Sequence, residues 1–248
     1  MIRAFFMALG MFSIFPAKNS WDEKRASLVA PMLPVVGIVI GLAWYGTAIA
    51  TARLPLMLHC AAITLAPLLL TGFLHIDGFM DTADAVLSRR SLEEKIRILK
   101  DPAAGAFAVI SVVCFILLQF CAVVSFAWYD YIALIFIPIL SRCIIAYLLI
   151  SLEPISQSGY MHTFQKGTGI WHKASVFILA AVTFVTAYFI GGINLLFVLA
   201  VTFFSTLLLS LWLNKQFKGF SGDLCGCAIT TGELCGLLTL AVIGRGMV

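Results

Sequence analysis

Long runs of apolar residues, separated by short polar segments, dominate the pattern of this chain. A helix needs roughly 20 residues to cross the ~30 Å hydrocarbon core of a bilayer, and several runs are about that long. The candidate spans are 27–51, 55–76, 104–127, 131–152, 174–191, 195–213 and 228–247. The runs are continuous, whereas a membrane barrel would show strands of about ten residues with alternating polarity. The pattern therefore predicts an all-α, polytopic transmembrane helical bundle with about seven spans.

The composition supports the membrane assignment and excludes a soluble or disordered chain. Of the 248 residues, 62% are hydrophobic and 11% are charged, and the mean hydropathy is +1.05. A soluble domain is about 45–50% apolar and about 25% charged, and disorder requires low hydrophobicity. We therefore expect a single integral membrane domain over residues 1–248. A shorter apolar segment at 2–15 is expected to be re-entrant, interfacial or signal-like, and to remain attached.

The basic residues of the short loops predict the orientation of the bundle. If residues 16–25 face the cytoplasm, seven crossings put the linkers 85–103, 152–173 and 214–223 on the same side. The twelve basic residues of that side are Lys18, Lys24, Arg25, Arg89, Arg90, Lys95, Arg97, Lys100, Lys166, Lys173, Lys215 and Lys218. The opposite side keeps two, Arg53 and Arg245. This bias predicts a multi-pass protein of the inner, cytoplasmic membrane whose polar site faces the cytoplasm. Because the basic residues form no single stripe, we expect no nucleic-acid partner.

An acidic island follows the second apolar run. Asp77, Asp81 and Asp84 are spaced i, i+4 and i+7, which puts them within about 60° of one another on a helix. Like charges on one helical face repel, and charge at membrane depth is costly, so a bound cation is the functional interpretation. Oxygen-only ligands suit a hard ion such as Mg²⁺. The alternatives are a solvated helix cap for the three acids and a hydrogen-bonded packing role for His75.

A second polar island lies between residues 218 and 233. Gly219, Gly222 and Gly226 would let backbone N–H groups approach a phosphate. Asp223 and Glu233 are candidates to complete a metal shell with the first island. The alternative is a loop with a helix cap and small-residue packing.

Two basic residues are candidates for contacts with anionic groups. Arg142 stands alone in an apolar run, where an unpaired guanidinium is expensive, so it should face a carboxylate or a phosphate. Lys100 follows an exposed amphipathic stretch at 91–100 and adjoins the first island.

Four segments, in order along nearly the whole chain, resemble the cobalamin synthase (adenosylcobinamide-GDP ribazoletransferase) family. Residues 72–84 (GFLHIDGFMDTAD) resemble the family's GGxHLDGLxDTxDG run, and residues 219–226 (GFSGDLCG) resemble its GGxTGDxxGA loop. Residues 100–107 resemble its (K/R)DSxxGxxG segment, and 141–142 resemble its arginine-bearing helix. The first and last segments together make the resemblance specific.

The resemblance implies a membrane enzyme that joins adenosylcobinamide-GDP to α-ribazole, or to its 5′-phosphate, and releases GMP. It implies Mg²⁺ on Asp77, Asp81 and Asp84, with Glu233 as a further ligand, and Asp84 or Asp223 as the acceptor of the hydroxyl proton. The residues expected to contact the substrates are Lys100, Arg142, Gly222 and His75. Membrane lipids and a second copy of the chain are further expected partners.

The chain departs from the family pattern at four places, and two other functions remain as alternatives. Residues 13–16 (SIFP) replace the usual Thr-Arg-Leu-Pro, Thr230 replaces an acid, Ser221 a threonine and Ala85 a glycine. A CDP-alcohol-type phosphotransferase for lipid head groups would use the same metal chemistry, but it predicts an Ala-Arg pair after Asp-Gly that this chain lacks. A cation- or proton-coupled transporter predicts inverted repeats, which the hydropathy pattern does not show.

Overall fold

A computed structural model describes residues 1–17, 21–125, 128–155 and 160–244. These residues form helices joined by short turns and loops, and they contain no strand. The α-helices are α1 (Ile2–Phe12), α2 (Val29–Thr51), α3 (Leu56–Leu70), α4 (Leu74–Leu87), α5 (Leu92–Ile98), α6 (Ala106–Ser125), α7 (Ala133–Ser151), α8 (Tyr160–Gln165), α9 (Ile170–Phe217) and α10 (Gly222–Gly244). Short 3₁₀-helices, Glu23–Leu28 and Trp128–Ile132, precede α2 and α7. The predicted all-α bundle is confirmed. Lys18, Arg245 and the last residues of the predicted spans 104–127 and 228–247 lie outside the described residues.

The centre of the bundle is the contact between α2 and α7. Gly37 and Gly41 of α2 face the backbone of α7, and a Cβ added at Gly37 would lie 2.7 Å from the carbonyl oxygen of Pro138. Small residues four apart let membrane helices approach closely, which increases van der Waals contact where lipid supplies no hydrophobic driving force. As a result, α7 is buried along most of its length.

The helix α9 is too long for one crossing and reverses its direction. Its 48 residues would extend about 72 Å as a straight helix. Gly192 breaks it with φ 64° and ψ −155°, a conformation open to glycine. The rings of Phe184 and Phe203, on opposite sides of the break, are only 6.1 Å apart. The two arms, 170–191 and 193–217, therefore run back along each other and correspond to the predicted spans 174–191 and 195–213.

By length and hydropathy, five helices of the described chain can cross a membrane, or six if a bent pair counts as one span. The reversal at Gly192 adds one crossing to α9, so these criteria give six or seven crossings, against the predicted number of about seven. The several apolar helices identify a membrane protein.

The predicted span 55–76 is wrong at its end, because the helix stops at Leu70 and the chain turns. Gly72 and Phe73 both adopt left-handed conformations, with φ of 61° and 63°, and α4 leaves α3 at 86°. A left-handed φ is uncommon for an aromatic residue. The acidic island consequently lies on a separate helix, α4, and not at the mouth of a spanning helix.

The second island is also more helical than predicted. The helix α10 begins at Gly222 instead of residue 228, so only 218–221 form a loop. Ser221 accepts a hydrogen bond from the backbone N–H of Leu224 at 3.4 Å, in the manner of a helix N-cap. Gly226, which was predicted to admit a phosphate, therefore lies inside a helix.

The linkers predicted to share one side of the membrane meet at one end of the bundle. The N–H of Phe220 donates to the carbonyl of Glu153 at 2.9 Å, and the N–H of Ile155 donates to the carbonyl of Phe220 at 3.0 Å. The Lys95 Nζ donates to Gln216 Oε1 at 3.3 Å, which ties α5 to the end of α9. This end, called here the polar end, combines segments 85–103, 152–155 and 214–223.

The short N-terminal segment is an ordinary part of the bundle. It forms α1, whose buried residues Ala4, Met7 and Ala8 pack mainly against α2 and its preceding 3₁₀-helix. Its last turn reaches the polar end, where Met11 and Phe12 line a cavity described below.

Candidate active site

Two glycines bring the acidic helix α4 and the helix α10 into close contact. A Cβ at Gly78 would lie 2.7 Å from the backbone oxygen of Asp223, and one at Gly226 would lie 2.9 Å from the backbone oxygen of His75. Larger residues would therefore push the helices apart. Gly78 and Gly226 therefore serve helix packing, and the packing places Asp223 beside the aspartates of α4.

Four carboxylates gather at this crossing without a basic partner. Asp81 lies within electrostatic range of Asp77, Asp84 and Asp223. Asp77 is exposed and the others are partly buried. Within the described residues, the salt bridges involve other acids, and none reaches these four. The crossing therefore carries uncompensated negative charge, as expected for a site that receives a cation.

Asp84 is directed toward the start of α6. Its carboxylate lies directly against the position where a Cβ of Gly105 would be. The segment 100–107 is thus brought to the acidic helix by contact between Gly105 and Asp84. A side chain at position 105 would occupy the volume of the carboxylate and displace it.

We expect Gly105→Ala to displace the Asp84 carboxylate while leaving the fold intact. The obstructed group is the far end of a flexible side chain, so it can rotate away at a cost of about 1 kcal/mol. The activity of the site should fall at least about tenfold, because Asp84 would leave the row of carboxylates, with a change in Tm of only a few degrees. Gly46→Ala is the matched control, because nothing lies within 4 Å of a Cβ added there. Full activity of Gly105→Ala would contradict a role for the observed position of Asp84.

A cavity of about 470 Å³, called here the first cavity, opens beside Asp77 and Asp223 at the polar end. Most of its wall is apolar and comes from α1, α2, α5, α7, α8 and α10, with Phe12, Leu33 and Phe164 among the contributors. The polar residues that line it are His75, Asp77, Lys100, Ser221, Gly222 and Asp223. The predicted substrate contacts His75, Lys100 and Gly222 therefore share one cavity with two of the carboxylates.

His75 and Ser221 add hydrogen-bonding groups to the first cavity. His75 is buried, and its Nε2 atom has no hydrogen-bond partner within the described residues. A buried polar atom without a partner is uncommon and indicates a missing ligand or water. The Ser221 hydroxyl donates to Asp223 Oδ2 at 3.4 Å. Sequence reasoning did not select Ser221 or the wall residues of α1 and α8, because their role depends on neighbours distant in the chain.

Arg142 and Glu233 lie together, apart from the aspartates. Arg142 Nη1 is 2.6 Å from Glu233 Oε1, and the Ser141 hydroxyl donates to the same oxygen at 2.8 Å. Both charged side chains are buried. Glu233 follows Asp223 by ten helical residues, about 15 Å along the axis. The carboxylate expected opposite Arg142 is thus Glu233. Glu233 does not lie at the predicted metal site. Arg142 does not line the first cavity, so it is not placed as a substrate contact there.

The carboxylates fit a magnesium ion that is shared with a substrate. Among the described residues, no three His, Cys, Asp or Glu side chains come close enough together to hold a metal by themselves. Mg²⁺ commonly uses one or two carboxylates together with substrate phosphates. The oxygen donors of Asp77 and Asp81, with Asp223 adjacent, match that requirement.

Comparison with known proteins identifies the family. The chain matches the family described as cobalamin-5-phosphate synthase over residues 4–241. It is 39% identical to an adenosylcobinamide-GDP ribazoletransferase of Clostridium perfringens (strain 13 / Type A), over 97% of this chain and 98% of the relative. It is 29% identical to the protein of that name from Geotalea daltonii, over 98% and 99% of the two chains. No solved structure matches it. The chain therefore belongs to the cobalamin-5-phosphate synthase family, as its motifs predicted.

Proposed function

We propose that this chain is an adenosylcobinamide-GDP ribazoletransferase that joins adenosylcobinamide-GDP to α-ribazole or its 5′-phosphate and releases GMP. The relatives that carry this name match 97% and 98% of the chain. The observation that carries the proposal is the group of four aspartates, which form no salt bridge within the described ranges, beside a largely apolar cavity. The diphosphate of adenosylcobinamide-GDP is anionic, so it needs a cation to bind beside the aspartates. The aromatic base of α-ribazole needs an apolar wall, which the cavity supplies.

The reaction exchanges one phosphorus–oxygen bond for another. The ribose 3′-oxygen of α-ribazole forms a bond to the phosphorus attached to the cobinamide. The bond from that phosphorus to the bridging oxygen of GMP breaks, and GMP leaves. Asp223 accepts the proton of the 3′-hydroxyl, because it lines the first cavity whereas Asp84 is turned toward Gly105. Positioning and charge stabilisation supply most of the catalysis in phosphoryl transfer.

The metal ligands follow from the same geometry. When bound by Asp77 and Asp81 together with the diphosphate, Mg²⁺ would neutralise the charge that develops on the leaving phosphate. Glu233 is not needed as a ligand in this assignment, and Asp84 adds further negative charge beside Asp81 on the same helical face. Asp223 remains free to act as the base.

The other residues of the first cavity orient the acceptor. Its volume of about 470 Å³ suits a nucleoside and is too small for a corrin ring system. The apolar wall takes the base, His75 Nε2 contacts a polar atom of the nucleoside, and Lys100 meets a 5′-phosphate. Gly222, the first residue of α10, lines the same space, where a helix N-terminus favours negative charge.

The proposed orientation puts the polar end on the cytoplasmic side of the inner membrane. Arg90, Lys95, Arg97, Lys100 and Lys218 all belong to segments that meet at this end. Short loops rich in lysine and arginine remain cytoplasmic. Exposed apolar residues on the arms of α9, such as Phe189 and Phe204, supply surface for lipid.

The transfer reaction can be tested with purified protein in detergent. Adenosylcobinamide-GDP and Mg²⁺ are supplied with α-ribazole, with α-ribazole 5′-phosphate or with a lipid alcohol, and GMP is measured. We expect release of GMP with one of the nucleosides and loss of release when Mg²⁺ is chelated. Absence of GMP with both nucleosides would refute the proposal, and release of GMP with the lipid alcohol alone would favour a head-group phosphotransferase.

Filling the first cavity tests which substrate it holds. Ile96 lines the cavity from α5 and is half-buried, so Ile96→Phe can add volume without disrupting the core. We expect the KM for the acceptor nucleoside to rise about tenfold, since a clash in such a pocket costs about 1–3 kcal/mol, with the KM for the donor unchanged. Leu208→Phe, on an exposed face of α9, is the control. A selective rise in the donor KM would contradict the assignment.

A further inference from the structure

A second cavity meets the acidic helix at its other end. Its volume is about 320 Å³, and it is lined by Asp84, Ser88, Arg90, Arg97, Ile98 and Phe107. The first cavity meets α4 at Asp77, seven residues or about 10 Å earlier along the helix axis. The row of aspartates therefore extends from one cavity to the other, with Asp81 between them.

We propose that the second cavity binds the guanosine nucleotide half of the donor, with Arg90 and Arg97 on its phosphate. This inference rests on the proposed transfer reaction, and it assigns a binding role to Ser88, Arg90, Arg97 and Ile98, which neither the motifs nor the mechanism above includes. It implies that the leaving GMP and the attacking nucleoside occupy separate cavities on either side of the reacting phosphorus.

The charges of the second cavity favour an anion. Arg97 forms no ion pair in the described part of the chain. Arg90 Nη1 is 3.3 Å from Glu94 Oε1, but both side chains are about half exposed. Exposed ion pairs of this kind contribute about 0–1 kcal/mol to the stability of a protein, so Arg90 can still bind an anion. Asp84 also lines the cavity, so its wall carries one negative and two positive side chains, and the excess positive charge favours an anion beside the two guanidinium groups. The planar guanidinium forms paired hydrogen bonds with phosphate oxygens, which makes phosphate the best-matched anion.

The remaining walls suit a nucleoside. Ile98 and Phe107 provide apolar surface, and the ring of Phe107 is 45% exposed although it adjoins charged groups. An exposed aromatic ring next to arginines offers a stacking surface for a base. The volume is at the lower end of the range for small-molecule sites, which fits one nucleotide and excludes a corrin.

The helix α5 divides the two cavities. Ile96, Leu99 and Lys100 line the first cavity, whereas Arg97 and Ile98 line the second. One short segment therefore contributes to both sites. A donor whose nucleotide lies in the second cavity would extend its diphosphate along the aspartates toward the acceptor in the first.

Nucleotide binding in the absence of the acceptor tests the inference without turnover. The probe is GMP, titrated into the purified full-length protein in a neutral detergent, with Arg90→Gln, Arg97→Gln and the double variant. We expect the Kd for GMP to rise about tenfold for each substitution, as for loss of one charge-assisted hydrogen bond. Arg89→Gln is the matched control, because Arg89 is adjacent and exposed but does not line the cavity. In turnover, the KM for the donor should rise while the KM for the acceptor stays unchanged.

Competition distinguishes a nucleotide from a lipid phosphate. Inorganic phosphate should compete weakly with GMP, and phosphatidylglycerol added to the detergent should not compete. Displacement of GMP by phosphatidylglycerol at lower concentration than by phosphate would overturn the inference in favour of a lipid site. An unchanged Kd for GMP in the double variant, or an equal loss in Arg89→Gln, would also overturn it. GMP binding that depends on both arginines, without any transfer to a nucleoside, would support the cavity assignment and refute the proposed reaction.

Discussion

Asp81→Asn should abolish the metal-dependent transfer and, at the same time, stabilise the protein. Asp81 is the central carboxylate of the row and lies within electrostatic range of the other three. We expect kcat/KM to fall at least about 100-fold, which corresponds to about 2.7 kcal/mol of transition-state stabilisation. Removing one negative charge from the group should raise Tm in the absence of Mg²⁺, because the remaining carboxylates repel each other less.

The combination of lost activity and gained stability separates a functional role from a structural one. If the aspartates only capped a helix, the asparagine would leave transfer unaffected. Glu93→Gln is the control, because Glu93 is an exposed acid on α5 that lines neither cavity. Transfer by Asp81→Asn at more than half the normal rate would remove Asp81 from the site.

Arg142→Met and Glu233→Leu should each destabilise the bundle strongly, whereas the double variant should recover most of the loss. The two side chains form a buried pair with 2.6 Å between Nη1 and Oε1. Removal of one partner leaves a buried charge without compensation and costs about 3–5 kcal/mol. Replacement of both by apolar residues of similar volume is often neutral or better. Thermal unfolding in detergent, by circular dichroism, measures all three variants.

The same variants decide whether Arg142 contacts the substrate. A structural pair predicts that transfer activity follows the folded fraction, so the double variant should be active. If Arg142 binds a phosphate during turnover, the double variant would fold and remain inactive. Retained stability in Arg142→Met with loss of activity would contradict the buried pair described here.

The sequence was informative wherever function depends on local spacing. The i, i+4, i+7 spacing of the aspartates is sufficient to put them on one helical face, and Asp77, Asp81 and Asp84 do lie on the single helix α4. The need of Arg142 for an inward partner also follows from its apolar surroundings. Its partner could not be selected from sequence, because Glu233 is 91 residues away and a substrate phosphate was the other possibility.

Two sequence-based predictions were wrong because residues near one another in the chain did not distinguish the alternatives. Hydropathy did not detect the 86° turn at Gly72 and Phe73, because the residues on both sides of the turn are apolar. The glycines of the second island resembled a phosphate-binding loop, but Gly226 allows α10 to touch the backbone of His75. A glycine has the same sequence signature in both roles, and only its neighbours distinguish them.

The sequence by itself was enough to predict that the chain lies in a bilayer, that it is helical and that its polar linkers share one side. It also predicted that Asp77, Asp81 and Asp84 share one helical face. Hydrophobicity and helical period depend on residues near one another in the chain, so these features can be read without the tertiary structure. Only the tertiary structure showed that Asp223 lies beside the three aspartates of α4 and that Glu233 pairs with Arg142 instead. It also showed one cavity at each end of the row of aspartates. These features depend on distances between helices, which arise from the contacts of residues far apart in the chain.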